Sequence, residues 1–86
     1  MALFARVENN IVLEVIVIAN SDCDNLPFPD SEPIGQAFVA SMGMTGEWLQ
    51  TSYVGAFRGL YCGAGFTFDE SLGEYGEFVP PVQPEL

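Results

Sequence analysis

The chain contains no histidine and no lysine, and its only cations besides the chain terminus are Arg6 and Arg58. The missing histidine removes the commonest general base, and with it any Ser-His or Cys-His nucleophile pair. The shortage of cations excludes the electrostatic footprint that displaces counterions from nucleic-acid phosphates. It also disfavours anionic membrane surfaces. No apolar run approaches the ~18 residues of a membrane span. The opening Met1-Ala2-Leu3-Phe4-Ala5-Arg6-Val7-Glu8 lacks the order of basic, apolar and small-residue regions that marks a signal peptide. The expectation is synthesis and use in a cytoplasm, or assembly there into something larger. Cysteine is scarce too. Cys23 and Cys62 match no metal spacing and no C-x-x-C motif. They are expected to be free and packed as small hydrophobes, with a disulfide between them left to geometry.

What is present is acid and apolar surface. Against two arginines stand 12 acidic residues, for a formal charge of −10. A charge of this sign suits a basic protein partner, or serves solubility alone. Hydrophobic residues make up 49% of the chain and aromatics 13%, too much for a disordered acidic tail. The 86 residues are enough for one domain, expected over 1–79 with an extended tail over 80–86. At this size roughly 60% of the unfolded surface is buried, so stability is marginal without help.

The expected fold class is α+β, mainly antiparallel sheet. Two apolar runs, 3–8 and 11–18, flank Asn9-Asn10 and predict a hairpin, since asparagine tolerates positive φ in a type I′ turn. The second run is apolar on both faces except at Glu14, which predicts a central strand or one covered by a partner. Residues 20–29 read as a loop. One helix is expected near 32–42, with Ser31 as N-cap, Gly43 as its stop, and Ile34, Phe38 and either Val39 or Met42 on the buried face. Glu47 to Tyr53 reads as a strand with Trp48 and Gln50 on one face and Leu49 and Thr51 on the other. Residues 66–69 and 75–79 read as arms of a second hairpin. Three prolines within 80–86 exclude helix or internal strand there.

Candidate chemistry is thin. Asp69-Glu70 and Glu74 with Glu77 sit around a hairpin tip, where carboxylates are ordinarily solvated. Asp22, Asp24 and Asp30 lack the spacing and the glycine of a calcium loop. Gly59, Gly63 and Gly65 fit no phosphate-binding pattern and read as bulges or close backbone approaches. No catalytic residue, cofactor or metal is expected. The aromatics of the second half compete for a different role, because Tyr, Trp and Phe enrich interface cores. The residues expected to contact a partner are Trp48, Tyr53, Phe57, Arg58, Tyr61, Pro80, Pro81 and Leu86. For Arg58, an ion pair or stacking on an aromatic ring is the plainer expectation.

Trp48-Leu49-Gln50-Thr51-Ser52-Tyr53, then Gly63-Ala64-Gly65-Phe66-Thr67-Phe68-Asp69, then Phe78-Val79-Pro80-Pro81 carry the patterns W-x-Q-T-S-Y and G-x-G-[FY]-T-[FY]-D. In combination with the opening 2–17 they resemble a family of small proteins of tailed bacteriophages, common in phages of cyanobacteria and other marine bacteria. Here Leu60 and Cys62 stand where that family commonly has small polar residues. The residues after Pro81 depart from its proline-aromatic continuation. The family carries no established activity. What the resemblance implies is a context, a phage particle or its assembly; that the protein is not an enzyme is expected from the missing histidine and the lack of a convergent polar site. A capsid decoration or cement role is favoured, with the major capsid protein as partner and a homo-oligomer compatible with it. The alternatives are a tail or fibre accessory, or a small acidic intracellular effector that binds a host protein.

Overall fold

The computed structural model describes residues 2–52, 54–59 and 61–81. It has an α+β architecture: one five-stranded antiparallel sheet and one α-helix. The strands are β1 (Ala2–Glu8), β2 (Ile11–Ile18), β3 (Glu47–Thr51), β4 (Thr67–Asp69) and β5 (Glu77–Val79). Their order across the sheet is β3-β1-β2-β4-β5. The helix α1 spans Ser31–Ser41, and Asn20–Cys23 forms a 3-10 turn.

The β1–β2 hairpin forms where the asparagine pair predicts it. Asn9 and Asn10 have φ of 52° and 64°, the two left-handed residues that a type I′ turn requires. Register slips between Arg6 and Val7, leaving Leu13 without an opposite residue and adding local twist. β1 lies between β2 and β3, so both its edges are paired, and a core packs on each of its faces. Ala2, Leu3, Phe4, Ala5 and Val7 are all buried. The second hairpin, β4–β5, also forms, joined by 70–76. At its tip Asp69 Oδ1 accepts from the Ser71 amide and hydroxyl. These bonds hold the Asp69 carboxyl below its usual value.

Two apolar cores form, one on each face of the sheet. On the helix side Phe4, Ile18, Cys23, Val39 and Trp48 pack together, with Phe38 and Met44 against them. On the other side Ala5, Val7, Val12, Leu49, Cys62 and Phe78 pack with Phe66 and Phe68, which the glycine-rich segment and second hairpin supply. The alternation along β3 divides Trp48 from Leu49 between these cores, as its sequence predicts.

The helix departs from its expected detail in two ways. Ser31 is its first residue and not a cap. Its hydroxyl is buried and donates to Gln50 Oε1 at 2.6 Å, while Asp30 holds the N-cap position without a side-chain bond. The fully buried stripe is Ser31, Gly35 and Val39. Ile34 and Phe38 are half-buried and Met42 is exposed. The cause is Gly35. A Cβ there would lie 2.2 Å from Phe4 Cζ and 3.0 Å from Cys23 Sγ. The absent side chain lets the helix backbone settle onto the Phe4 ring and turns the stripe by one position. The stop falls as expected, with Gly43 at φ 81° just after the helix.

Glycine inside a helix costs about 1 kcal/mol against alanine, so Gly35→Ala would stabilise an unpacked helix. In this protein the overlap with Phe4 outweighs that gain. The expected result is a net loss of about 1–3 kcal/mol, read as a lower urea midpoint with an unchanged m-value.

Candidate interaction surface around Arg58

Four segments distant in sequence meet at one guanidinium. Glu32 stands in the first turn of α1, where a carboxylate also complements the positive end of the helix dipole. Gln50 lies on β3, Arg58 in the loop that follows, and Tyr75 just before β5. Arg58 forms a two-pronged ion pair with Glu32, Nη1 to Oε2 and Nη2 to Oε1. Its Nη1 also donates to the Gln50 carbonyl at 2.9 Å, and its Nε to the Tyr75 carbonyl at 3.1 Å. Glu32 Oε2 in turn accepts from the Gln50 amide at 2.7 Å. The two side chains are only 7% and 16% exposed. Burying a charge is costly unless it is paired and hydrogen-bonded, and here each charge has several partners.

Aromatic rings close over this network. The Arg58 Cζ lies 5.1 Å from the Phe28 ring centroid and 5.4 Å from that of Phe68, within cation–π range. Phe28 stacks on Phe57 at 3.8 Å with planes 5° apart, and meets Tyr75 edge-on at 5.0 Å. Phe28 and Phe57 are half-buried, whereas Tyr75 is exposed. Leu26 and Leu72, on the same two loops, are exposed as well. Asp24, Asp30, Glu70 and Glu74, neighbours in sequence on those loops, are exposed. The result is an aromatic surface seated on a buried ion pair, with exposed carboxylates on the same loops.

Of the residues singled out in the sequence, Phe57 and Arg58 come together here. Arg58 takes both of its expected structural roles, ion pair and ring stacking, but its rings are Phe28 and Phe68 and not the tyrosines near it in sequence. Trp48 does not face outward. It is 4% exposed, packed in the helix-side core with its Nε1 donating to the Thr45 carbonyl at 3.2 Å. Tyr61 is exposed, as are Pro80 and Pro81 after β5. Tyr53 and Leu86 lie outside the described residues. Sequence reasoning missed Phe28, Tyr75 and Glu32 as members of the site. The position of Glu32 in the first helical turn was legible, but its partner lies 26 residues away.

Elsewhere the surface offers little chemistry. Two shallow clefts, of about 370 and about 260 Å3, meet at Arg6 and are bordered by Glu8, Glu14 and Glu47. Arg6 bonds its cross-strand neighbour Glu14 at 2.8 Å, and its Nε is buried with no acceptor among the described residues. Among those residues no three histidine, cysteine or carboxylate side chains converge to hold a metal ion. Cys23 and Cys62 are free and lie in the cores on opposite faces of the sheet. Burial pushes both thiols up. Asp22 and Asp24 add to the effect at Cys23, and the Thr51 hydroxyl partly offsets it at Cys62. No family model, curated protein or solved structure matches the chain.

Two outcomes follow from this geometry. Arg58→Met leaves Glu32 buried without its cation and should cost about 3–5 kcal/mol in chemical denaturation. The added substitution Glu32→Gln should recover part of that loss, because the ion pair is then removed as a unit. The thiols, whose raised values lower the thiolate fraction at any given pH, should resist a thiol reagent at mild alkalinity. Both should react together once the chain is unfolded in guanidinium.

Proposed function

We propose that this protein is a non-catalytic structural component of a bacteriophage virion that binds other protein surfaces, in the first instance as a capsid decoration protein joining neighbouring capsid subunits. The observation that carries the reading is the aromatic cluster of exposed Tyr75 with half-buried Phe57 and Phe28, held from beneath by the Arg58–Glu32 pair. Interface cores are built from such rings, with a polar rim around them. Preorganised rings also lose little side-chain entropy on binding. Both arginines are paired with glutamates of the same chain, Arg58 in a buried pair and Arg6 in a partly exposed one. The net charge of −10 is therefore presented outward with no mobile cation to mask it, and the fitting partner is a basic protein surface. The resemblance of the motifs around Trp48 and Gly63 to small phage proteins supplies the virion context. In this reading Pro80 and Pro81 begin an extended tail that lies across the next subunit.

Mass spectrometry of washed, full particles should detect the polypeptide in stoichiometric amount with the major capsid protein, and increasing salt should strip it off, since exposed charge pairs are screened beyond about 10 Å at 0.1 M salt. Its absence from washed particles would overturn the virion role. Capture of a basic host protein from infected lysate, with no capsid protein, would support the intracellular effector reading instead.

A further inference from the structure

Among the described residues the sheet has three places where a strand edge meets no further strand, and two of them are covered. On β3 the outward carbonyl of Trp48 accepts from Gln36 Nε2 at 2.5 Å, and the outward groups of Gln50 are bonded by Glu32 and Arg58. On β5 the Phe78 amide donates to the Arg58 carbonyl at 3.0 Å. The third place is the outer side of β2. β4 is short and pairs with β2 at Ile11 alone, where Thr67 faces it. The adjoining bonds of Asn10 and Val12 reach Phe68, Phe66 and Gly65, and there the ladder stops. From Glu14 to Ile18 no described residue bonds the outer edge.

Edges of this kind template the addition of another strand unless they are shortened, charged, bulged or covered. This one is five residues of Glu-Val-Ile-Val-Ile, with no lysine and no proline. Its one charge, Glu14, is engaged by Arg6, and the register slip lies before Glu14, outside this stretch. Val17 is 54% exposed, so a side chain beside it would find apolar surface open.

We propose that the outer edge of β2 over Glu14–Ile18 is a strand-addition site that takes an extended, cationic segment of the partner protein. The proposal rests on the reading of this chain as a protein-binding module and names the chemistry of what it binds. Charge decides the occupant. With Glu14 already paired to Arg6, the attraction comes from the net charge of −10 on the body that carries the edge, to which Asp22 and Asp24, next in sequence after the strand, contribute. A second copy of the chain would bring two bodies of charge −10 together, a repulsion that disfavours self-association. A segment with small apolar residues at alternate positions and lysine or arginine between them pairs its backbone with β2. It also meets the carboxylates with opposite charge.

The test is an NMR titration of the isolated, full-length chain with a short synthetic peptide alternating lysine and valine, alongside a control peptide with glutamate in place of lysine. Sedimentation should show the free protein as a monomer, with rapidly exchanging outer-edge amides within 14–18. The lysine peptide should protect those amides, and its affinity should fall roughly tenfold between about 0.05 and about 0.3 M salt. The glutamate peptide should leave them unprotected. Val17→Lys, which keeps the fold and places a cation on the edge, should weaken the lysine peptide about tenfold. Three results would overturn the proposal: indifference of the edge to both peptides, equal binding of both, or a native dimer that Val17→Lys dissociates. Protection already present in the free chain and lost on truncation after Pro81 would assign the edge to the chain's own C-terminal residues and overturn it too. The titration needs no phage particle, so its failure is distinct from absence of the chain in washed virions.

Discussion

The buried pair of Arg58 and Glu32 is the constraint on which the arrangement of the second half depends. The fold has little else to tie the helix to the C-terminal hairpin. Arg58 reaches Glu32 on α1, the Gln50 carbonyl on β3 and the Tyr75 carbonyl before β5 with its side chain, while its own carbonyl accepts from Phe78. One residue thereby bridges the two outermost strands of the sheet. A guanidinium suits this position because its planar fork offers several donors in fixed directions and never loses its charge. A lysine would carry its three donors on a single nitrogen and could not reach four acceptor atoms spread over Glu32, Gln50 and Tyr75. The residue adopts a φ of 57°, a conformation that costs a non-glycine about 1–2 kcal/mol. The bonds made on both sides of it hold it there. Buried ion pairs often add little net stability compared with apolar packing. The weight of this one lies in geometry, since only a single placement of α1, β3 and the second hairpin satisfies every polar atom involved.

The aromatic surface is a consequence of that placement. Phe28, Phe57 and Tyr75 come from two loops and the hairpin, segments that by themselves would have no fixed relation. The guanidinium beneath Phe28 and the carbonyl contact at Tyr75 set where two of the three rings stand, and stacking places the third. Order in loops ordinarily has to be supplied by packing that a chain of this size lacks. Here a few directed bonds supply it.

The sequence was legible wherever a local cause determined the outcome. The asparagine pair set the first turn, β-branched residues set β2, and Gly43 ended the helix. It was illegible wherever the cause was a contact between distant segments. Of the helical stripe Val39 was legible, but the pattern of large side chains centres it on Ile34 and Phe38, whereas a position with no side chain, Gly35 under Phe4, packs deepest. Ser31 resembles a cap by type and position but is drawn inward by Gln50. Trp48 resembles an interface residue by type, and the alternation of β3 would have shown it facing the helix. Phe28 gave no signal between its two prolines, because its importance comes from Arg58, thirty positions later.

The use of the two arginines also explains the contrast between the sheet's edges. A protein protects exposed edges with charge, most often lysine, and this chain has none to spend. Its protection is assembled instead from groups that are already committed: the side chains of Gln36 and Glu32 from the helix, and the side chain and backbone carbonyl of Arg58 from the loop. Those groups lie on the side of the sheet where α1 and the second hairpin converge, so they reach β3 and β5. Among the described residues no such group extends to the far half of β2, since the second hairpin pairs with β2 only at Ile11. The same scarcity of cations that makes the surface acidic thus leaves one apolar edge unguarded. In the proposed reading, an acidic body with this edge open among its described residues selects for cationic extended partners and against its own kind. The scarcity also limits how the edge can be silenced, because a cation placed there would protect it and weaken the attraction that makes it selective.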